Sequence, residues 1–398
     1  MDFRPFIWEM SGEGSGVRAL AALIAVLLVS SLASAHCPTS SATAAFLEPG
    51  RYGVGVRTLP LVDISRPTPA HGTIAALPSR TLTTEIWYPT APHTGAPLRD
   101  GAAARGRFPL VLSSHGYSDT RTGEAYVAEA LASRGYVVAA PDFPLTNLST
   151  PPPRDPVDVI NQPADVRFVL DRVLALAKTR GSWFDGRVDR HRIAATGLSY
   201  GGLTTLLVTY HPTLRDRRIR ASAALAPAAC SLGEPFYRAA RPPLLLIQGT
   251  QDLLVPIEAN AGRAFMESRS PRELISLVDA THTAFSGLVN FPSQTSYDAD
   301  LGCAVVVTDF DSTNLVRLHM LDDPANGIDV GGCAPPCQGP APANAPMQAT
   351  RQHDLTRAAV VAFFESTFRR SRPARCLLRE GLAHENRDVR VEIHGRGR

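Results

Sequence analysis

The sequence predicts an α/β fold: a mainly parallel central sheet flanked by helices. Short apolar runs alternate with longer amphipathic, helix-like stretches, the pattern of strands joined by crossover helices. Two of those runs, residues 108–114 and 244–247, are almost wholly apolar, as strands covered on both faces must be. A third signal is a sharp turn at Gly197-Leu198-Ser199-Tyr200-Gly201, entered from the apolar run after Arg192 and left through helix-like residues 203–210.

The chain has 398 residues, 44% of them hydrophobic, enough for one large core or two small ones. Its net charge of +3 is too weak to argue for nucleic acid or another polyanion as partner. Lys178 is its single lysine, a composition bias without functional weight. Near the N-terminus Arg18 precedes the apolar run 19–29, which leads to Ser30-Ser31-Leu32-Ala33-Ser34-Ala35. That order reads as a secretory signal peptide, residues 1–35, cleaved after Ala35. The run is short for a spanning helix, so no stable membrane span is expected once it is removed. Glu9 and Glu13 suggest translation from Met10, and His36 before Cys37 argues against a lipid anchor. All six cysteines (37, 230, 303, 333, 337 and 376) follow the cleavage site, which fits disulfides in an exported chain. Cys333-Ala-Pro-Pro-Cys337 is spaced for a local loop, but the pairing stays open. A zinc site is disfavoured, because no matching Cys/His pair follows.

In chain order, residues 81–88 are rich in β-formers and stop at Pro89, and 90–107 is a Pro/Gly/Ala loop. Strand 108–114 runs into His115-Gly116-Tyr117; helix 122–134 and strand 136–140 follow, ending at Pro141-Asp142. Residues 144–156 form a polar, proline-rich loop at the expected rim of a site. Helix 158–179 tolerates Pro163 near its start and puts Val166, Val169, Leu170, Val173 and Leu174 on one face. After the sharp turn come strand 219–226, a connection over 230–241 that could form part of a lid, and the buried strand 244–247. Helix 257–267 and strand 273–278 lead to Asp279-Ala280-Thr281-His282. Residues 286–347 read as an irregular, cysteine-bearing excursion with a helix near 313–321, and 350–369 as an amphipathic helix. No internal repeat is evident, so residues 36–398 are expected to be one domain.

A serine between glycines on a strand-to-helix turn suits the nucleophile elbow of an α/β-hydrolase fold. Its hydroxyl needs a base, and the base needs a carboxylate to fix its tautomer. In that fold the order is serine, acid, histidine; Asp252 follows strand 244–247 and His282 follows the next strand. Both therefore fall at strand C-termini, the sheet edge that carries Ser199. Asp142 is out of order, and Asp279 lies too close to His282. His211, His319 and His353 lack a strand just before them, and the last two are expected on helix surfaces. For the oxyanion, the backbone N–H groups of Tyr200 and Tyr117 are the expected donors, with His115 structural. Phe143, Tyr117, Tyr200 and Phe285 are candidate pocket walls, with ordinary core packing the competing role.

Several segments carry a family resemblance: Val54-Gly-Val-Arg-Thr-Leu59 with Asp63 and Arg66, Arg80 with Glu85-Ile-Trp-Tyr-Pro89, Pro109 to Gly116, and Gly135 to Asp142. Pro163-Ala-Asp-Val-Arg167, Gly197 to Gly202, Asp252, and His282 with Phe285 extend it. Over roughly residues 50–285, and again around Phe363-Phe364, the chain resembles the exported dienelactone hydrolase-like group of α/β-hydrolases, related to the type II platelet-activating factor acetylhydrolases. The resemblance implies carboxylic-ester hydrolysis through an acyl-enzyme. Dienelactone hydrolases proper use a cysteine where this chain has Ser199, which argues against a lactone substrate.

The expectation is therefore an exported (secreted or periplasmic) serine hydrolase of small-molecule or lipid esters that uses no metal and no cofactor. Within enzymes the alternative is a lipase, polyester or phospholipid acyl hydrolase. Outside them the alternatives are a catalytically silent hydrolase-fold binding protein and, with no repeat to support it, a cell-envelope structural protein. Acyl length, alcohol and oligomeric state are not legible.

Overall fold

The computed structural model describes residues 37, 42–287, 302–304, 309–310, 312–339 and 344–395. The signal-peptide expectation for residues 1–35 lies outside them. Residues 40–398 form one compact unit. Its frame is a ten-stranded sheet: β1 (Gly53–Asp63), β2 (Arg80–Thr90), β3 (Leu98–Arg99), β4 (Phe108–Ser114), β5 (Val137–Pro141), β6 (Val188–Leu198), β7 (Ile219–Leu225), β8 (Leu244–Gly249), β9 (Arg272–Leu277) and β10 (Val389–His394), in the order β10-β9-β8-β7-β6-β4-β5-β2-β1-β3.

The six inner strands, β5, β4, β6, β7, β8 and β9, all run parallel. The flanks are antiparallel, with β10 on β9, β2 on β5 and β1 on β2. Sequence periodicity reads the parallel centre; β10, whose Val389, Val391 and Ile393 alternate with Arg390, Glu392 and His394 as in a half-exposed strand, lies beyond the last element assigned from sequence.

Period-two alternation sorts the side chains of β4 between two cores. Val111 packs beneath α1 (Ala125–Ser133) and α5 (Ala349–Arg369). Leu110 and Leu112 face the opposite core, which α2 (Gln162–Lys178) helps to cover. Every β4 residue is buried, as its continuous apolar run requires. α3 (Tyr200–Tyr210) starts directly at the sharp turn and is buried along nearly its whole length.

Three expectations change. The connection over 230–241 divides: Cys230 and Ser231 line the cavity described below, whereas Phe236 and Tyr237 are fully buried against Tyr210 and the α3 face and belong to the core. The expected helix 257–267 is a π-turn, Glu258–Gly262, continued by an α-helical turn, Arg263–Glu267. No local Cys333–Cys337 loop forms; Cys333 bonds Cys230 and Cys337 bonds Cys303. Cys37 and Cys376 are disulfide-bonded as well, and no cysteine is free. The excursion after His282 holds helix α4 (Ser312–Leu318), lying between α3 and α5 in the chain, followed by a 3-10 turn, His319–Leu321. It leaves the fold where Gly287 N–H donates to the Gly123 carbonyl and returns where Met347 N–H donates to the Asp279 carbonyl. No helix of the described residues is long and apolar enough to cross a membrane.

Candidate active site

Ser199 sits between the end of β6 and the first residue of α3 at φ +56° and ψ −116°, a conformation that a side-chain-bearing residue adopts only under strain. The turn is possible because its neighbours are small. A Cβ on Gly201 would lie 1.8 Å from the Ser114 carbonyl oxygen, and one on Gly197 would lie 2.4 Å from the Gly201 oxygen. The Ser199 N–H donates to the Leu225 carbonyl, 2.9 Å away, which ties the turn to β7.

Asp252 and His282 come from the loops after β8 and β9, and their side chains meet. His282 Nδ1 lies 2.8 Å from Asp252 Oδ2, and both side chains are buried. The carboxylate is held from three further sides. Its Oδ1 accepts the N–H groups of Leu254 (3.1 Å) and Val255 (2.8 Å), and its Oδ2 also accepts Gln248 Nε2 (2.9 Å). Such a carboxylate keeps the imidazole proton on Nδ1 and puts the lone pair on Nε2. The loop carrying His282 is fixed from α5, where Gln352 Nε2 donates to the Thr281 carbonyl and its Oε1 accepts the Thr281 N–H.

The rival groups are engaged elsewhere. Asp142 is paired with Arg121 at 2.6 Å, and Asp279 Oδ1 accepts from Gln251 and Asn344. His211 is buried and caps the segment after α3, its Nδ1 accepting the N–H groups of Thr213 and Leu214. His319 is exposed and pairs with Asp322. His353 is not a free helix-surface residue: its ring stacks on Tyr126 at 4.1 Å.

His115 is buried, and its Nδ1 lies 2.7 Å from the Gly116 carbonyl oxygen while Nε2 accepts the Phe143 N–H at 3.0 Å. Burial, above all, holds its pKa below the ordinary histidine value, so the ring stays neutral with its proton on Nδ1. The Gly116 carbonyl and the Tyr117 N–H belong to one trans peptide plane and point in opposite directions. By fixing the carbonyl, His115 thus fixes where the Tyr117 N–H points. That N–H has no backbone carbonyl partner among the described residues. The Tyr200 N–H opens α3, where helix donors lack intrahelical acceptors and the dipole favours negative charge.

Ser199, His282, Tyr117 and Tyr200 line one cavity of about 600 Å³. Phe143 and Phe285 do not; both are core residues, because their runs point into the packed layers. The sequence reading missed walls that come from the excursion, among them Phe310, Leu318 and Val330. Near Ser286, which also lines the cavity, Asp119 is buried with its pKa raised by desolvation; the neighbouring Glu124 is raised further. Among the described residues no cluster of side chains could hold a metal ion.

Residues 66–307 match a family model described as PET hydrolase-like. That is more than half of the chain, and the chain belongs to this family, within the α/β-hydrolases. A solved structure, a ferulic acid esterase from Streptomyces cinnamoneus, shares 23% sequence identity with a TM-score of 0.57; the match covers 87% of this chain and 98% of that one. It shows the shared fold. No curated protein matches.

Proposed function

We propose that this member of the PET hydrolase-like family is an exported serine hydrolase that cleaves carboxylic esters through an acyl-enzyme. The supporting observation is that His282, paired with the buried Asp252, lines one cavity with a serine on a strained turn. In the proposed reaction Ser199 Oγ attacks the acyl carbon while His282 Nε2 takes its proton. The tetrahedral oxyanion rests between the Tyr117 and Tyr200 N–H groups. His282 then returns the proton to the leaving alcohol, and water, activated by the same ring, hydrolyses the acyl-serine. Asp252 stays ionised and steadies the imidazolium. The disulfides support the exported reading, with residues 36–398 as one hydrolase domain after removal of residues 1–35.

A second reading, hydrolysis of emulsified lipid or polymeric esters, draws on Leu148 and Leu315. Both line the cavity and remain markedly exposed. Hydrolysis of p-nitrophenyl esters from acetate to palmitate by the mature protein tests both. Activity is expected, with Ser199→Ala and Asp252→Asn each losing about 10³-fold or more in kcat. A preference for the longest, emulsified esters would favour the second reading. A folded wild type with no activity that also resists a fluorophosphonate probe would overturn the hydrolase assignment.

A further inference from the structure

The cavity has walls of two origins. Ser199, Tyr117, Tyr200 and His282 lie within the family match, residues 66–307. Phe310, Leu315, Leu318, Leu321 and Val330 lie beyond it and line the same cavity. Among these, Phe310 makes ring contacts with both Tyr117 and Tyr200. Its ring centroid is 5.0 Å from that of Tyr117 and 5.9 Å from that of Tyr200, both edge to face, and the two tyrosines are 5.2 Å apart.

We infer that Phe310 is a specificity-determining residue that sets the size of the acyl group the cavity accepts, with Arg154 and Asp309 as its positioning residues. This rests on the ester-hydrolase reading above. Tyr117 and Tyr200 carry the amides assigned to the oxyanion, so the three-ring cluster stands beside the reacting carbonyl. The ring that takes the Ser199 proton must deliver it to the leaving oxygen, which puts the leaving group on the His282 side. The acyl substituent takes the remaining side, and Phe310 fills space there.

The ring is held by its neighbour in the chain. Asp309 is fully buried, and its Oδ2 accepts from Arg154 Nη1 at 2.8 Å. Arg154 also donates from Nε to the Asn147 carbonyl and from Nη2 to the Leu148 carbonyl, anchoring the pair to the proline-rich loop at the rim. Asn314 Nδ2, from α4, donates to the Asp309 carbonyl at 2.7 Å. With side chain and carbonyl of residue 309 both fixed, the placement of Phe310 follows. Removing either charge would leave the other buried and uncompensated.

The test is kcat/KM of the mature protein for p-nitrophenyl acetate, butyrate, hexanoate and octanoate. Phe310→Ala should raise the octanoate-to-acetate ratio about tenfold, the scale on which pocket size discriminates chain length. Phe310→Leu, the milder change, should fall between. Asp309→Asn and Arg154→Ala should shift the ratio in the same direction by less, and Arg154→Lys, which keeps the charge, should shift it least. An unchanged ratio, or equal loss on all four esters, would reduce Phe310 to packing and overturn the inference. A parallel series of acetates of different alcohols should be unaffected, and a shift confined to that series would also overturn the inference. Fluorophosphonate labelling of Ser199 separates the failures: an unlabelled wild type sinks the serine-hydrolase reading, whereas labelled variants with an unchanged ratio sink this inference alone.

Discussion

The two halves of the cavity wall are built in contrasting ways. The half that carries the proposed chemistry stands at the C-terminal ends of β4, β6, β8 and β9, strands whose C-terminal parts are buried and which are hydrogen-bonded to neighbours on either side. The half that carries Phe310, Leu318 and Val330 has helical turns and loops but no strand of the sheet among its described residues, and two disulfides fasten it. Cys230–Cys333 ties it to the segment after β7. A packed sheet fixes positions to fractions of an ångström, which acyl transfer demands. A cross-linked loop needs only to exclude and admit, and it can vary without disturbing the chemistry.

If that division is sound, variants in the two halves should fail differently. The largest effect belongs to the sheet edge. His115→Ala should lower kcat by about 10²–10³-fold with little change in KM, because misaligning the proposed oxyanion donor, the Tyr117 N–H, would weaken the transition state alone. A fall in Tm with unchanged kinetics in the folded fraction would make His115 merely structural and blur the contrast.

Next comes the excursion. Replacing Cys230 and Cys333 together by serine should cost about 2–4 kcal/mol of stability, read from denaturant unfolding, since the bond closes a long loop with a sequence separation of 103. KM should rise more than kcat falls. The reverse pattern would mean that the excursion positions the reacting groups.

The smallest effect lies away from both halves. Glu273 on β9 is pushed up to about 7 by desolvation. Its folded form therefore binds a proton more tightly than its unfolded form. The stability this contributes is present at low pH and is lost as pH rises from the ordinary carboxyl range to about 7. Glu273→Gln should flatten that decline by on the order of 1 kcal/mol, visible as a Tm that varies less between pH 5 and about 7.5. Activity at fixed pH should not move; if it does, β9 transmits strain to His282 and the sheet edge is less rigid than the contrast requires.

The same contrast governs how much was legible in the sequence. Ser199, Asp252 and His282 each follow a buried strand, and strand ends in a parallel sheet announce their shared edge through local pattern. The glycines flanking Ser199 signal the tight turn because nothing larger fits. Phe310 had no such herald. It sits in a stretch without periodicity, and its role follows from contacts with residues more than a hundred positions away. The Arg154–Asp309 pair, at a separation of 155, and the disulfide partners are likewise long-range facts that no local spacing encodes. The antiparallel flank at β10 differs: its alternation of Val389, Val391 and Ile393 with polar residues is a local strand pattern, but its place beside β9, across the whole excursion in the chain, is again a long-range fact.

One detail of connectivity reaches further. The excursion departs at Gly287 and comes back at Met347, whose N–H is bonded to Asp279, three residues before His282. Exit and entrance thus flank a single short turn of the frame, as the two ends of a cassette do. Such an arrangement lets the intervening stretch be shortened, lengthened or exchanged by recombination while the sheet keeps its register. For an engineer, residues 287 and 347 are the natural splice points for grafting a different wall onto the same chemistry.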